Sequence, residues 1–448
     1  MISTKSIKSA RHLAYQALSR IEGDFAYSDI ILANIFEQQF LNEKDRAFIN
    51  ELVRGTIRWK KNLDWILLQL LKEPEKVPVQ VKWILWLGLY QIIFMSKTPD
   101  FAAVNESVEL VKRLKYMKWV RLVNGVLRTY LRNPQQIKYP DPKREPVKYL
   151  SVVKSHPEWL IERWINQFGF EQTVKLCDAF NKPPVISVRL NILKISIAEF
   201  EEILNENFFI FERSKVKDYY RLNKINPEKY HQLLQDGLIT VQDESAGLVS
   251  LLAAPKQNQI VCDLCSAPGG KSVHLAELAR DTITIISGDV NFSRIKMVKN
   301  ATKRLELVSI KPIVADAHNF PVNAVDLVIL DAPCSGFGVL SKKPDLRWQR
   351  NLDSIKQLVK LQNELLRKAA QLLKNKGHLV YSTCTIDNEE NEGVILNFIE
   401  QNPSFTISDP ETTVIPKEFI TKDKGIRTWP HIHNMDGSFA VKLQKNEI

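Results

Sequence analysis

Long apolar runs, internal repeats and low-complexity tracts are all missing from this 448-residue chain. The most apolar stretch, Trp83 to Met95, is too short to span a bilayer and reads as a buried helix. The N-terminus, Met1 to Lys5, has no apolar leader core, so a cytoplasmic chain without a membrane anchor is expected. The lack of a fixed-period repeat excludes a solenoid, and the ordinary globular composition excludes disorder. Cysteine is scarce, at positions 177, 262, 265, 334 and 384. An odd number in a chain without a leader argues against a disulfide framework. Cys262 and Cys265 form a C-x-x-C, but no second pair follows at zinc-site spacing, so no metal is expected.

Charge is unevenly placed. The chain has 62 Lys+Arg and 51 Asp+Glu, a net of +11. Residues 1–150 carry 25 basic and 15 acidic side chains, a net of +10, which leaves +1 for residues 151–448. A basic third beside a neutral remainder points to a polyanion partner.

The basic third has helical periodicity throughout. Ile7, Ala10, Leu13, Ala14, Ala17 and Leu18 line one stripe, and Phe48, Ile49, Leu52 and Val53 line another. Residues 1–135 are therefore expected to form an all-α bundle. The proline-rich stretch 136–149 reads as a linker, and 150–240 as a small α+β module. From 241 to 448 strands and helices alternate, with strands expected at 259–264, 282–289, 312–315, 325–330 and 377–383. The gaps hold helices at 271–280, 291–306, 354–375 and 388–401, and a final strand pair lies at 405–407 and 438–443. This pattern predicts a mostly parallel, Rossmann-like α/β sheet.

Ligands of open α/β sheets lie at the carboxyl ends of the strands. The first strand ends in Cys265-Ser266-Ala267-Pro268-Gly269-Gly270-Lys271, small residues that let backbone N–H groups approach a ligand at a helix N-terminus. The turn is neither G-x-G-x-x-G nor a Walker loop. The second strand ends in Asp289, nineteen residues after Gly270, near the spacing at which an acidic residue grips ribose hydroxyls. Asp316 and Asp331 end the next two. Cys334 and Cys384 follow the ends of two neighbouring strands, where a thiolate would be a good nucleophile.

The stretches Asp-Leu-Cys-Ser-Ala-Pro-Gly-Gly-Lys (263–271), Asp-Ala-Pro-Cys-Ser-Gly (331–336), Lys-Pro-Asp-Leu-Arg-Trp (343–348) and Tyr-Ser-Thr-Cys-Thr (381–385) resemble motifs of the RNA cytosine-C5 methyltransferases. Val241-Gln-Asp-Glu-Ser245 resembles that family's entry motif. Residues around Asp45, Arg54, Arg58, Val104-Asn-Glu and Val123 to Arg128 resemble the NusB-like RNA-binding domain. The pairing is similar to the bacterial Sun/RsmB type, which acts on 16S ribosomal RNA. Two departures are Ser266, where Ala is common, and Asp436-Gly-Ser-Phe in place of Asp-Gly-Phe-Phe.

The resemblance implies S-adenosylmethionine as cofactor and a cytosine, unstacked in a loop or opened helix of ribosomal RNA, as target. Cys384 would be the nucleophile at C6, Cys334 would assist release, and Asp331 would meet N3 of the base. The turn 265–271 would hold the donor, with Asp289 on the ribose, Asp316 on the adenine, and Arg294 and Asp331 alongside. Lys271 would hold the donor carboxylate or lower the thiolate pKa. Lys342, Lys343, Arg347 and Trp348 have the charge and the aromatic ring that RNA contacts need, and Arg54, Arg58 and Arg128 would extend them. Glu389, Glu390 and Glu392 read as the acidic first turn of a helix, with no catalytic role. A monomer is expected. The alternatives are transfer RNA as substrate, methylation of an exocyclic nitrogen, which needs no thiol, and a non-catalytic assembly or antitermination factor.

Overall fold

The computed structural model describes residues 9–24 and 26–447, so Ile7 of the first stripe lies outside the described residues. The chain forms two compact units. One comprises residues up to 182 together with 340–349. The other comprises 183–339 and 350–448. This division differs from the sequence expectation, because the helices of the first half of the expected α+β module group with the N-terminal bundle.

In the first unit, helices Ala10–Gly23, Glu43–Arg58, Lys60–Leu70, Asp100–Arg113 and Val120–Arg132 gather around Val79–Phe94, and Ser28–Gln38 packs on Ala10–Gly23 and Glu43–Arg58. That helix carries apolar side chains on most of its circumference, and its residues from Trp83 to Gln91 are all buried, as a central helix requires. Side-chain caps fix two starts: Ser9 Oγ accepts from His12 N, and Asn42 Oδ1 accepts from Asp45 N at 2.8 Å. The expected linker is tied to the bundle. Lys138 N donates to Gln69 Oε1 at 2.9 Å, and its carbonyl accepts the Trp65 indole N–H at 2.9 Å. Helices Pro146–Val153, Glu158–Phe168 and Phe170–Asn181 complete the unit. Among the described residues no helix is long and apolar enough to cross a membrane.

The second unit holds two sheets. Strands β1 (Ile186–Leu190), β2 (Ile210–Arg213), β3 (Tyr219–Lys224) and β4 (Ile239–Val241) form an antiparallel sheet in the order β2-β3-β1-β4, with helices Ile197–Glu206 and Pro227–Gln235. The larger sheet uses β5 (Ile260–Asp263), β6 (Thr284–Asp289), β7 (Ile310–Val314), β8 (Val325–Asp331), β9 (Leu373–Thr383), β10 (Phe405–Ile407), β11 (Ile426–Thr428) and β12 (Ser438–Lys445). Its order is β10-β12-β9-β8-β5-β6-β7, with β11 paired to β12. The pairs from β9 through β7 are parallel, and β12 is antiparallel to β9.

Alternation along the central strands feeds two cores, since successive side chains leave opposite faces. Val261, Ile285, Leu327, Ile329 and Val380 pack with Val273, Leu275 and Val298 on one side. Cys262, Val328, Leu330, Leu379 and Tyr381 pack with Leu365, Leu366 and Ala369 on the other. After β5 the chain builds outward through β6 and β7, then returns to place β8 and β9 on the opposite flank. The strand order therefore reverses at β5, and open α/β sheets take their ligands outside the carboxyl ends of the strands at such a point.

Helix–helix contact in the bundle depends on Gly55. A Cβ there would lie 2.0 Å from the Tyr90 ring carbon that bears the hydroxyl. Gly55→Ala should therefore lower the thermal unfolding midpoint by several degrees. Overpacking of about 1–3 kcal/mol outweighs the gain in helix propensity of about 1 kcal/mol. Calorimetry of the full chain checks this, and an unchanged or higher midpoint would contradict the close crossing.

Candidate active site

Strand β5 ends at Asp263, and the following turn enters helix Gly270–Leu278. Gly269 takes φ +105°, a conformation open to glycine, and a Cβ there would press on the Val298 backbone at 3.2 Å. Ser266 N donates to Gly288 O and Gly269 N to Ser266 O, both at 2.8 Å, which holds the turn over the start of the helix. Asp263 is buried beneath it. Its Oδ2 accepts from Ser272 Oγ at 2.6 Å, and Ser287 Oγ backs Ser272 at 2.8 Å. Burial pushes the Asp263 carboxyl up to about 7, against the Ser272 bond that favours its charge.

Asp289, at the end of β6, is buried. Its Oδ1 accepts from Asn291 N at 2.9 Å. Arg294 Nη1 lies 2.9 Å from Oδ2, an ion-pair contact off the line of a hydrogen bond, and its Nη2 donates to Ala267 O at 2.6 Å. Asp316 follows β7 and is more exposed. Its Oδ1 accepts from the backbone N–H of His318 at 2.9 Å and meets Nδ1 of the same residue at 2.8 Å, contacts that hold the carboxyl below its usual range. Asp331 Oδ2 pairs with Lys271 Nζ at 2.7 Å, and its Oδ1 accepts from Ser382 Oγ at 2.8 Å. Burial alone would push the Lys271 ammonium down, but Asp331 and Cys384 hold it above its usual range.

The residues at these strand ends fit an adenosyl amino-acid donor. Asp263 Oδ1 and Asp289 Oδ2 are buried acceptors that no hydrogen bond among the described residues satisfies. Ribose hydroxyls and an amino-acid ammonium bring the donors that such oxygens require.

The two cysteines meet because of strand register. β8 and β9 are parallel neighbours with Asp331 opposite Ser382. Cys334 lies three residues beyond that pair on one chain and Cys384 two beyond it on the other, and their sulfurs are 3.3 Å apart. The two loops are stitched along their length. Ala332 N donates to Ser382 O at 2.8 Å, the hydroxyls of Ser335 and Thr385 are 2.8 Å apart, and Gly338 N donates to Cys384 O at 3.0 Å. Gly437 N in turn donates to Gly338 O at 2.9 Å. Cys384 is exposed and Cys334 half-buried. The Cys334 thiol is pushed well up, first by its hydrogen bond to Cys384, then by burial and by the neighbouring charges of Cys384, Glu390 and Asp331. Burial pushes the thiols of Cys262 and Cys265 up to about 12, which leaves the C-x-x-C unreactive.

Glu390 corrects the sequence reading. The helix expected over 388–401 begins only at Glu392. Residues 390 and 391 are drawn into the site instead. Glu390 is fully buried and accepts from Ser335 N, while Asn391 accepts from Thr383 Oγ1 at 2.5 Å and donates to Thr385 O at 3.0 Å. Asp263 is a further buried member of the site that the strand pattern alone does not distinguish from the end of an apolar run.

The expected RNA contacts divide. Within the first unit, segment 340–349 is seated on helix Glu43–Arg58. Arg347 is fully buried, donating to Ser155 O and Asn181 Oδ1 at 3.0 Å, so it is structural and not available to RNA. Arg58 is buried and donates to Ser341 O at 2.8 Å. Trp348 donates its indole N–H to Ile57 O at 2.8 Å and packs on the bundle core. Arg54 is half-buried between Asp29 and the Lys342 carbonyl. These four side chains seat the segment on the bundle, and their sequence neighbourhood gave no sign of it. Lys343 and Arg128 remain exposed, the latter holding Asn124 at 2.9 Å, and Lys342 is half-buried.

Asp263 carries a pH prediction. With a folded value of about 7 against an ordinary 3.8, its contribution favours the fold below about pH 4 and is lost as pH rises toward 7. Asp263→Asn keeps an acceptor for Ser272 and removes the titration. Its stability relative to the parent should climb between about pH 4 and 7, then level off at a gain on the order of 1–3 kcal/mol. Denaturant unfolding across that range checks the slope, and a pH-independent difference would contradict it.

The family model described as 16S rRNA methyltransferase RsmB/F matches residues 250–444, the NusB family 8–132, and a Methyltr_RsmF/B-like ferredoxin-like domain 156–226. The probable ribosomal RNA small subunit methyltransferase B of Bacillus subtilis is 35% identical over 98% of this chain and 99% of its own length. The crystal structure of PH0851 superposes with a TM-score of 0.80 at 27% identity, over 98% of this chain and 99% of that one. NSun6 from Pyrococcus horikoshii, solved with SFG, shares the fold with a TM-score of 0.59 at 22% identity, covering 66% of this chain and all of that one. On this full-length likeness the chain belongs to the ribosomal RNA small subunit methyltransferase B family.

Proposed function

We propose that this chain methylates C5 of a cytosine in small-subunit ribosomal RNA, with Cys384 as nucleophile and Cys334 as the base that clears the C5 proton. The observation that carries this reading is the pair of thiols 3.3 Å apart at adjacent strand ends, beside the Lys271–Asp331 ion pair. Methylation of an exocyclic nitrogen has no use for two such thiols.

Cytosine C5 is a poor nucleophile. A thiolate that adds to C6 converts the ring to an enamine, and the covalent adduct divides one hard step into easier ones. Cys384 is the exposed sulfur and faces Lys271, whose charge favours its thiolate. Asp331, held between Lys271 and Ser382, would pass a proton taken up from solvent to N3 and so make C6 more electrophilic. S-adenosylmethionine, when bound, supplies an electrophilic methyl group for C5. The turn 265–271 would hold it, with Asp289 on the ribose hydroxyls and Asp316 toward the adenine.

The roles of the sulfurs change during the cycle. Once Cys384 is bonded to C6 it is a neutral thioether, and the hydrogen bond and charge that most disfavour a Cys334 thiolate are gone. Cys334 then gives its proton to solvent and takes the one on C5. The electrons of the C5–H bond re-form the C5–C6 double bond, the S–C6 bond breaks, and Cys384 leaves as a thiolate. The base must be unstacked to reach the sulfur, so an accessible loop or opened helix is the fitting substrate. The net +10 of residues 1–150, including exposed Arg128, supplies the phosphate attraction such a substrate needs.

Cys334→Ala should accumulate an RNA–protein adduct that survives a denaturing gel when ribosomal RNA and donor are supplied, whereas Cys384→Ala should form none. The reverse pattern would exchange the two roles, and an adduct from neither variant would end the covalent mechanism. Transfer RNA run in parallel should give little or no adduct.

A further inference from the structure

The chemistry above makes no use of Glu390, although this carboxylate is fully buried at the foot of the Cys334 turn. Its Oε2 accepts from Ser335 N at 2.8 Å and from Gln362 Nε2 at 2.9 Å. The same Gln362 nitrogen donates to Pro333 O at 2.9 Å. Cys334 is therefore gripped on both flanks through one carboxylate and one amide. Oε1 of Glu390 is buried, and among the described residues no donor meets it. A glutamine would accept both hydrogen bonds without placing a charge in the interior, where an unsatisfied charged group is costly. Geometry alone does not call for a carboxylate at this position, but a role for its charge does.

The charges around the two sulfurs differ. Cys334 faces Asp331 at the end of its own strand, Glu390 from the turn before helix Glu392–Gln401, and Cys384 from β9. Tyr381 of β9 donates its hydroxyl to the Glu390 carbonyl at 2.7 Å. Burial raises the Glu390 carboxyl above its ordinary range and the facing charge of Asp387 adds to this, while the hydrogen bonds from Ser335 and Gln362 favour its charged form. Two cations lie close to the pair. Lys271 is paired with Asp331 and faces Cys384, and Arg350 Nε donates to the Ser335 carbonyl at 3.3 Å.

We propose that Glu390 is a positioning residue that fixes the Pro333-Cys334-Ser335 turn and, through its negative charge, keeps Cys334 a thiol while Cys384 attacks the base. This rests on the cytosine-C5 reading. Two thiols this close compete for the same role, and a carboxylate beneath one of them assigns nucleophilic attack to the other. The Cys384 proton leaves to solvent before attack, while the Cys334 proton stays on its sulfur until the adduct has formed.

The test uses the full-length Cys384→Ala protein, in which iodoacetamide alkylation of Cys334 is followed against pH by peptide mass spectrometry. Adding Glu390→Gln should move the midpoint down by about half a pH unit or more, a rise in rate of about threefold at a fixed pH below it. Glu390→Asp retains the charge and should keep the parent midpoint, even where shortening the side chain lowers the melting temperature. Coincident profiles for the Gln variant and its parent, with only stability changed, would overturn the proposal. If the Gln variant does not fold, the parent midpoint decides. A value at or below the ordinary thiol range of about 8.5 overturns the role. Neither RNA nor donor enters this assay, so its outcome is separate from that of the adduct experiment.

Discussion

Asp331 and Ser382 face each other across the parallel ladder of β8 and β9, and the rest of the site depends on that register. The two strands share one direction, so both chains leave the sheet at the same end and their loops run side by side. The backbone bond from Ala332 to Ser382, the Ser335–Thr385 hydroxyl pair and the bond from Gly338 to Cys384 hold the loops together residue by residue. A slip of one residue in a strand turns its side chains to the opposite face. It would carry Ser382 away from Asp331 and break the stitching that brings the sulfurs together. The apolar alternation that fills the cores on both faces of the sheet therefore also sets the geometry of the thiols.

Around this frame, charge sorts chemically similar groups into different tasks. Asp263, Asp289 and Asp331 all end strands of one sheet, yet their surroundings differ. Asp263 is buried over serine hydroxyls and pushed up to about 7, Asp289 is buried with one oxygen still unsatisfied, and Asp331 is tied to a lysine. The cysteines follow the same principle. Cys262 and Cys265, next to each other in the sequence and suggestive of a redox or metal pair, are made inert by burial. Cys334 and Cys384, fifty residues apart, are brought into contact by the fold.

Much of this was legible in the sequence. Strand ends can be read from apolar runs that stop at Asp, and the order of runs and helices implies a sheet whose ligands gather at those ends. What the sequence could not show is which side chains turn inward there. Glu390 stands in an acidic run that looks like a helix start, but its backbone is pulled out of the helix by hydrogen bonds to loops far away in the chain. Arg347 and Trp348 have the composition of an RNA contact, yet the guanidinium is consumed by backbone carbonyls and a side-chain amide, and the indole N–H by the Ile57 carbonyl. β3 has no clear apolar alternation, because Tyr219, Tyr220 and Leu222 share a short antiparallel strand with Arg221, Asn223 and Lys224. Each of these misses depends on a long-range partner that local periodicity does not encode.

On the proposed chemistry the paired strand-end thiols direct the methyl group to a ring carbon and not to an exocyclic nitrogen. Nucleoside mass spectrometry of small-subunit ribosomal RNA, incubated with the purified full-length chain and S-adenosylmethionine, tests it most directly. The account predicts 5-methylcytidine as the product. Cytidine methylated at N4, or no new methylated nucleoside at all, would contradict it.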